Sequence, residues 1–249
     1  MNAFSNILFL DIETVSQKKS YSELDDKMKM LWDKKAERIG HDEETSDPQA
    51  IYKRAAIYAE FGKIVCISVG IFDNNDNFCL KSFCDHDEKA LLTEFAAALT
   101  RFEEIWKKKD LFETRTLPYG PNAQLCAHNG KEFDFPFIAR RMIINGIPIP
   151  KMLQVAGKKP WETSFLDTME LWKFGDYKNY TSLDLLCTIL DIPTPKDDIN
   201  GSEVGEVYWQ DDDLKRIQTY CQKDVIAVAQ IMCRYNYMSL IPDDKIVIK

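Results

Sequence analysis

The hydrophobic and polar positions of this chain repeat with two periods, one typical of strands and one typical of helices. Three apolar runs bounded by polar residues predict buried strands at residues 6–11, 63–72 and 124–128. Turn-forming residues at 73–77 follow the second run and lead into a further strand that ends near residue 84. Apolar residues at helical spacing predict helices at 88–109, 135–145, 168–174, 183–190 and 211–237.

The order of these predicted elements, β-β-β-α-β-α-α-α, indicates an α/β architecture in which helices pack on a mixed sheet. One long segment, residues 16–60, interrupts this order because it is mostly polar and helical in pattern. A chain of 249 residues lies at the upper end of ordinary single-domain size. We therefore expect a single domain over residues 1–249, with a helical insertion at about 16–60.

The composition is that of a folded, water-soluble protein, with 45% hydrophobic and 29% charged residues. No apolar run approaches the roughly 20 residues that a membrane-spanning helix needs, and the first run is too short for a secretory signal. The seven cysteines are scattered and form no C-x-x-C pair, which favours small buried thiols in a reducing compartment. We expect a cytoplasmic location and no membrane partner.

The net charge of −8 argues against a protein that grips duplex nucleic acid through many phosphates. Contact with nucleic acid would have to be local. A cluster of carboxylates that recruits divalent cations reverses the charge of its own pocket, so an acidic chain is compatible with a phosphate substrate.

Two pairs of residues are placed to share a site. Asp11 and Glu13 lie two apart after an apolar strand, so the strand period places both carboxylates on one face. Tyr220 and Asp224 lie four apart on the C-terminal helix, which stacks them on one helical face. Each pair also has a simpler interpretation, as a solvated strand end or as a packed tyrosine beside a solvated aspartate.

The segment A-H-N-G-K-E-F-D joins a predicted strand to a predicted helix and carries a third acidic candidate, Asp134. Asp134 is a candidate metal ligand or, alternatively, a helix N-cap. Asn129 is placed to bond a carboxylate or a phosphate, or to shape the turn before Gly130. His128 is interpreted as a packed structural residue, because no second histidine lies at a metal-binding spacing from it.

Together, three segments resemble the three motifs of the DEDD superfamily of 3′–5′ exonucleases, in its tyrosine-containing branch. They are D-I-E at residues 11–13, H-N-G-x-x-F-D ending at Asp134, and Y-x-x-x-D from Tyr220 to Asp224. The histidine branch would have histidine where this chain has Thr219. More closely, F-G-K-I-V-C-I-S-V-G and Y-T-S-L-D-L-L-C-T-I-L-D-I-P resemble predicted exonucleases related to the proofreading domain of family-B DNA polymerases.

The resemblance implies a ribonuclease H-like fold, an α/β fold with a mixed five-stranded sheet and helices packed on both faces. It implies that Asp11 bridges two divalent cations, Mg²⁺ or Mn²⁺, that Glu13 and Asp224 complete one cation site, and that Asp134 supports the other. Tyr220 would orient the attacking water. The resemblance also implies that the 3′ end of the nucleic acid lies near Glu13 and the backbone of Ile12 and Thr14. Apart from the resemblance, Asn129 is a further candidate contact, and so is Phe133, an aromatic residue near basic side chains that suits base stacking.

The expected function is therefore a two-metal 3′–5′ exonuclease that releases 5′-mononucleotides from single-stranded nucleic acid, with DNA expected over RNA. A protein partner such as a polymerase or repair factor is expected if the enzyme proofreads, because the chain has no recognisable polymerase domain. Two alternatives stay open: an exonuclease for RNA or short oligonucleotides, and a non-catalytic nucleic-acid-binding module. The clustered carboxylates disfavour the second alternative, because like charges destabilise a fold that binds no cation.

Overall fold

A computed structural model describes residues 3–39, 47–110, 118–120, 122–159, 162–176, 180–193 and 198–249. Its described strands are β1 (Ile7–Ser16), β2 (Gly62–Phe72), β3 (Phe78–Cys84), β4 (Gln124–Ala127), β5 (Leu166–Asp167) and β6 (Ile246–Ile248). They form one mixed sheet in the order β5-β4-β1-β2-β3-β6. β2 pairs antiparallel with both β1 and β3, and the other neighbours pair in parallel.

The described helices are α1 (Asp26–Ile39), α2 (Glu88–Asp110), α3 (Asp134–Ile144), α4 (Thr168–Lys173), α5 (Leu183–Ile189), α6 (Val204–Glu206) and α7 (Leu214–Tyr235). The predicted α/β class with a mixed sheet is confirmed. The expected number of five strands is wrong, because six occur within the described residues. The apolar pattern had not indicated β5 and β6, which have two and three residues and are too short to show a period of two.

Strand β1 is buried on both faces, because helices cover both sides of the sheet. Its residues Leu8, Leu10 and Ile12 pack into a core cluster that contains the apolar faces of α2 and α3. Ile7 and Phe9 point the other way, into a cluster with residues of α7. This explains the uninterrupted apolar run of β1, and it places the odd-numbered positions of the strand under α7.

Helix α7 is shorter at both ends than the predicted 211–237. It begins at Leu214, where the Asp213 side chain accepts a hydrogen bond from the Arg216 amide at 2.9 Å. The preceding turn, Val207–Asp211, is π-helical, and Asp212 has a left-handed backbone with φ of 54°. The left-handed residue interrupts the helix, although its apolar spacing continues.

The insertion at residues 16–60 has a small core of its own. Trp32 of α1 is fully buried, and its ring meets Tyr52 and Phe61 edge-on at centroid distances of 5.5 and 5.2 Å. Its indole N–H donates to the Pro48 carbonyl at 2.8 Å. The Gln17 amide donates to the Phe61 carbonyl at 2.9 Å, so the two ends of the insertion meet at the sheet.

The structure also bears on the cysteines and on membrane-spanning helices. All seven cysteines are free thiols, and six are buried while Cys84 is half-buried. Within the described parts of the chain, no helix combines the length and apolarity needed to cross a bilayer.

A buried ion pair fixes α3 to the rest of the fold. Glu88, in the first turn of α2, accepts from Arg141 Nε of α3 at 2.8 Å and from the Ile64 amide of β2 at 2.7 Å. Arg141 also donates to the Ala59 carbonyl at 2.8 Å. The pair therefore joins α2, α3, β2 and the end of the insertion.

Replacing Glu88 with alanine should lower the free energy of unfolding by about 3–5 kcal/mol, because Arg141 would stay buried without its counter-charge. Urea unfolding followed by circular dichroism measures the change. Glu94→Ala is the matched control, since the Glu94–Lys81 ion pair at 2.8 Å is exposed and contributes little. Equal effects of the two substitutions would contradict the structural role of the buried pair.

Candidate active site

Strand β1 presents Asp11 and Glu13 on the face that α7 covers. The two residues pair with Ser68 and Cys66 of β2, and the register shifts between Glu13 and Thr14. Irregularities of this kind bend a strand and redirect its side chains, and they are frequent beside active sites. Glu13 is buried, whereas Asp11 is partly exposed but has a buried Oδ2.

Helix α7 contributes Tyr220, Cys221 and Asp224 to the same place. The Tyr220 hydroxyl donates a hydrogen bond to the Asp224 carboxylate, and the Cys221 thiol donates to the Asp11 carbonyl at 3.4 Å. Ligand atoms of Asp11, Glu13 and Cys221 lie within 4.8 Å of one another. The helical spacing of Tyr220 and Asp224 thus places both above β1.

The first residue of α3 adds a further carboxylate. Asp134 is buried, and its carboxylate accepts a hydrogen bond from the Ile12 amide, between the two acidic residues of β1. The N-cap position of α3 belongs to Phe133, so the alternative that Asp134 is the N-cap does not describe this helix. The Asp134 side chain instead joins α3 to β1.

The electrostatics of the cluster disfavour four negative charges. Burial, followed by the nearby Cys221 thiol and Asp224, raises the pKa of both Asp11 and Glu13 well above the ordinary values. Burial is also the main reason that the pKa of Asp134 rises to about 8. No described residue donates a hydrogen bond to Asp11 Oδ2. Carboxylates that repel one another, one of them with a buried oxygen that has no donor among the described residues, form a site suited to cations.

The Tyr220 phenol stays protonated in this setting. Burial raises its pKa above the ordinary value of 10.0, and the negative charges of Asp224, Glu13 and Asp11 raise it further. The phenol therefore acts as a hydrogen-bond donor at neutral pH.

The four positions predicted to contact nucleic acid occupy different settings. Thr14 is partly exposed and lines a groove beside the cluster. Ile12 is buried in the core. Asn129 has a left-handed backbone with φ of 59°, and Phe133 is partly buried with its ring 5.3 Å from that of Phe137. Of these four side chains, that of Thr14 is the one lining the groove, and Ile12 reaches the cluster through its backbone amide.

Sequence reasoning missed two residues at this site. One is Cys221, whose signal is its place between Tyr220 and Asp224. The other is Asp167, the buried N-cap of α4, which accepts from the Asn129 and Lys131 amides at 2.9 and 3.0 Å. Asp167 holds the loop that leads into Asp134, and an aspartate directly before a helix was its available signal.

His128 is packed, in agreement with its interpretation as a structural residue. Its Nδ1 lies 2.9 Å from Thr168 Oγ1, and its Nε2 lies 3.0 Å from the Thr181 carbonyl oxygen. One ring nitrogen thus contacts the start of α4 and the other contacts the segment before α5, so the ring is not available as a metal ligand in this arrangement.

Comparison with solved structures supports the fold. Among solved structures, the chain is similar to the family B DNA polymerase from the hyperthermophilic archaeon Pyrobaculum calidifontis, at 13% identity and a TM-score of 0.54. The similarity covers 93% of this chain and 24% of the polymerase, so this chain spans about a quarter of that polymerase's length. At this identity the similarity shows the fold alone. No curated protein matches the sequence.

A family match carries the assignment. Residues 57–241, well over half of the chain, match the family described as predicted 3′–5′ exonucleases related to the exonuclease domain of PolB. The matched range contains Asp134, Tyr220 and Asp224, and it begins after Asp11 and Glu13. The resemblance to predicted exonucleases related to the proofreading domain of family-B DNA polymerases is thus confirmed, and this chain belongs to the family of predicted 3′–5′ exonucleases related to the exonuclease domain of PolB.

Proposed function

We propose that this chain is a metal-dependent 3′–5′ exonuclease that releases 5′-mononucleotides from single-stranded nucleic acid, with DNA as the preferred substrate. The observation that carries the proposal is the acidic cluster in which Asp11 and Glu13 of β1 lie within ligand distance of each other and are affected by the charges of Asp134 from α3 and Asp224 from α7. We also propose that residues 1–249 act as one domain, with residues 16–60 as an insertion.

The donor set fits hard divalent cations. Carboxylate oxygens are the ligands that Mg²⁺ and Mn²⁺ prefer, and Asp11 Oδ2 lacks a donor among the described residues. Asp11 would be shared between two cations, with Glu13 and Asp224 completing one position and Asp134 supporting the other. When bound, the cations supply stabilisation of the negative charge on the attacking and leaving oxygens at phosphorus.

The chain's own residues position the substrate and the water. The Tyr220 phenol, whose hydrogen is donated to Asp224, orients the attacking water through its oxygen. Its raised pKa keeps it protonated and prevents it from acting as a base. The partly exposed Thr14 and the backbone beside Glu13 receive the terminal sugar. Asp167 keeps the loop before α3 in place through its bonds to backbone amides.

Substituting Tyr220 with phenylalanine should lower kcat about a hundredfold and leave KM nearly unchanged, because a misplaced water affects the chemical step. The pH dependence of kcat should keep its shape around neutral pH, since the Tyr220 phenol stays protonated there. Tyr235→Phe is the control: it removes another hydroxyl from α7, one that donates to the Thr168 carbonyl at 3.0 Å. A changed pH profile in the Tyr220 variant would show that the phenol ionises during the reaction.

The proposal is tested by incubating the purified chain with single-stranded oligonucleotides, labelled at the 5′ end, in Mg²⁺ or Mn²⁺. The expected result is a ladder that shortens from the 3′ end and disappears in EDTA. Matched DNA and RNA strands, which differ in the 2′-hydroxyl, decide the preferred sugar. Intact strands under all conditions would reject the exonuclease and favour the binding module.

A further inference from the structure

A groove beside the candidate active site is formed by the insertion on one side and by the segment 201–210 on the other. It encloses about 700 Å³. Thr14, the residue after Glu13, is part of its lining, so the groove begins one residue along β1 from the carboxylate cluster. We call it the insertion groove.

The charge of the insertion groove is opposite to that of the whole chain. Among the residues that the structure describes, its lining contains Lys19, Lys53 and Arg54 and a single acidic residue, Glu206, although the chain has a net charge of −8. Lys19 and Lys53 are exposed. A local excess of cations beside a phosphodiester-cleaving site is complementary to a phosphate backbone.

The walls also offer aromatic surfaces. Tyr21 comes from the insertion and Trp209 from the opposite wall, and both are partly exposed, whereas Tyr52 of the insertion is buried. Tyr21 and Tyr52 contact each other edge-on at a centroid distance of 6.2 Å. Aromatic rings next to cations are the combination that binds single strands without sequence preference, through base stacking and phosphate contacts.

The cationic wall is held rigidly against the sheet. Lys53 and Arg54 lie on the short 3-10 helix Tyr52–Ile57, whose Tyr52 packs against Trp32 in the core of the insertion. This helix approaches β2 so closely that a Cβ atom at Gly62 would come within 2.7 Å of the Ala56 carbonyl oxygen. The groove is therefore formed before any ligand arrives, which lowers the entropic cost of binding.

We propose that the insertion groove binds the part of a single strand that lies 5′ of the scissile bond, with the exposed Lys19 and Lys53 contacting its phosphates. This inference rests on the proposed exonuclease function, because the strand reaches the groove from a 3′ end placed at the carboxylate cluster. It assigns a role to the insertion, which lies mostly outside the region of the family match.

The test compares two double charge reversals of the full chain. Lys19→Glu with Lys53→Glu changes the groove, and Lys27→Glu with Lys34→Glu changes two exposed lysines of α1 that do not line it. Binding of a fluorescent single strand of about a dozen nucleotides is followed by anisotropy at several salt concentrations in EDTA. The groove variant should reduce the slope of log K against log salt by about 1.4, since each phosphate contact on a single strand contributes about 0.7. The control variant should keep the wild-type slope.

Turnover gives a second readout that separates the groove from the active site. In Mn²⁺, the groove reversal should raise the ratio of KM for the long strand to KM for a dinucleotide about tenfold, because the single internucleotide phosphate of a dinucleotide lies at the carboxylate cluster and leaves no further phosphate for the groove cations. Gly205→Trp should also raise the ratio of KM for the long strand to KM for the dinucleotide. A Cβ atom at Gly205 meets no atom within 4 Å, so the large side chain enters open space in the groove.

The outcomes distinguish this inference from the proposed function. If wild type cleaves but both reversals show the same salt slope and the same KM ratio, the groove does not bind the strand and the inference is overturned. If wild type cleaves neither substrate, the proposed function fails, and the anisotropy measured in EDTA still decides whether the groove binds single strands.

Discussion

Replacing Asp11 with asparagine should lower kcat at least about a thousandfold and should also stabilise the cation-free protein. The loss of activity follows because Asp11 is the carboxylate proposed to be shared by both cations. The gain in stability follows because the substitution removes one charge from a cluster whose pKa values are raised by burial and by mutual repulsion. The new amide can donate to a neighbouring carboxylate.

Two measurements check this prediction, the rate of release of mononucleotides in Mn²⁺ and the melting temperature in EDTA at about pH 8. We expect the melting temperature of the Asp11 variant to rise by about 2–8 °C, the gain typical of relieving strain at a functional site. Asp244→Asn removes one negative charge from an exposed position and serves as the control. Activity within tenfold of wild type, or a lower melting temperature in EDTA, would contradict the assignment of Asp11.

Divalent cations should stabilise the protein strongly, and more so as the pH rises. The pKa of Asp134 in the folded protein is raised from 3.8 to about 8. A group with a raised folded pKa contributes stability that is fully present below its ordinary pKa and is lost as the pH rises through the folded value. The cation-free protein should therefore lose stability from this group as the pH increases toward about 8.

Bound cations counteract this loss, because they bind the ionised carboxylates. At a cation concentration of about one hundred times Kd, one site contributes about 2.7 kcal/mol, or roughly 5–10 °C in melting temperature for a chain of this size. Melting curves with Mn²⁺ or EDTA should diverge as the pH is raised from about 5 to about 8. Asp224→Asn should reduce the divergence. Curves that stay equally separated across this range would show that the carboxylates are not the groups that bind the cation.

Local periodicity was enough to predict the faces on which the acidic residues lie. The run ending in F-L-D-I-E-T indicated a strand, and its period of two placed Asp11 and Glu13 together. Likewise, the spacing of four between Tyr220 and Asp224 placed these two residues on one face of α7. These predictions hold because they depend on the backbone period of one element, which the structure shows for both elements.

Features that depend on distant parts of the chain were not predictable in this way. The contact of Asp134 with the Ile12 amide and the bonds of Asp167 to the loop before α3 join segments far apart in sequence. The insertion was recognised by its polarity, but its core around Trp32 and its groove with the segment 201–210 arise from tertiary packing. The start of α7 was misplaced because Asp212 takes a left-handed backbone within an otherwise helical pattern.

The central claim is that cations held by this carboxylate cluster act on the 3′-terminal phosphodiester. It is tested most directly with single strands that carry sulfur in place of one non-bridging oxygen at that phosphate, in each stereochemical position. Sulfur is a soft ligand that Mg²⁺ binds poorly and Mn²⁺ binds better. We expect cleavage of one stereoisomer to fail in Mg²⁺ and to recover in Mn²⁺, while the unmodified strand is shortened from its 3′ end in both. Equal cleavage of the modified and unmodified strands in Mg²⁺, or no cleavage of either strand with either cation, would contradict the claim.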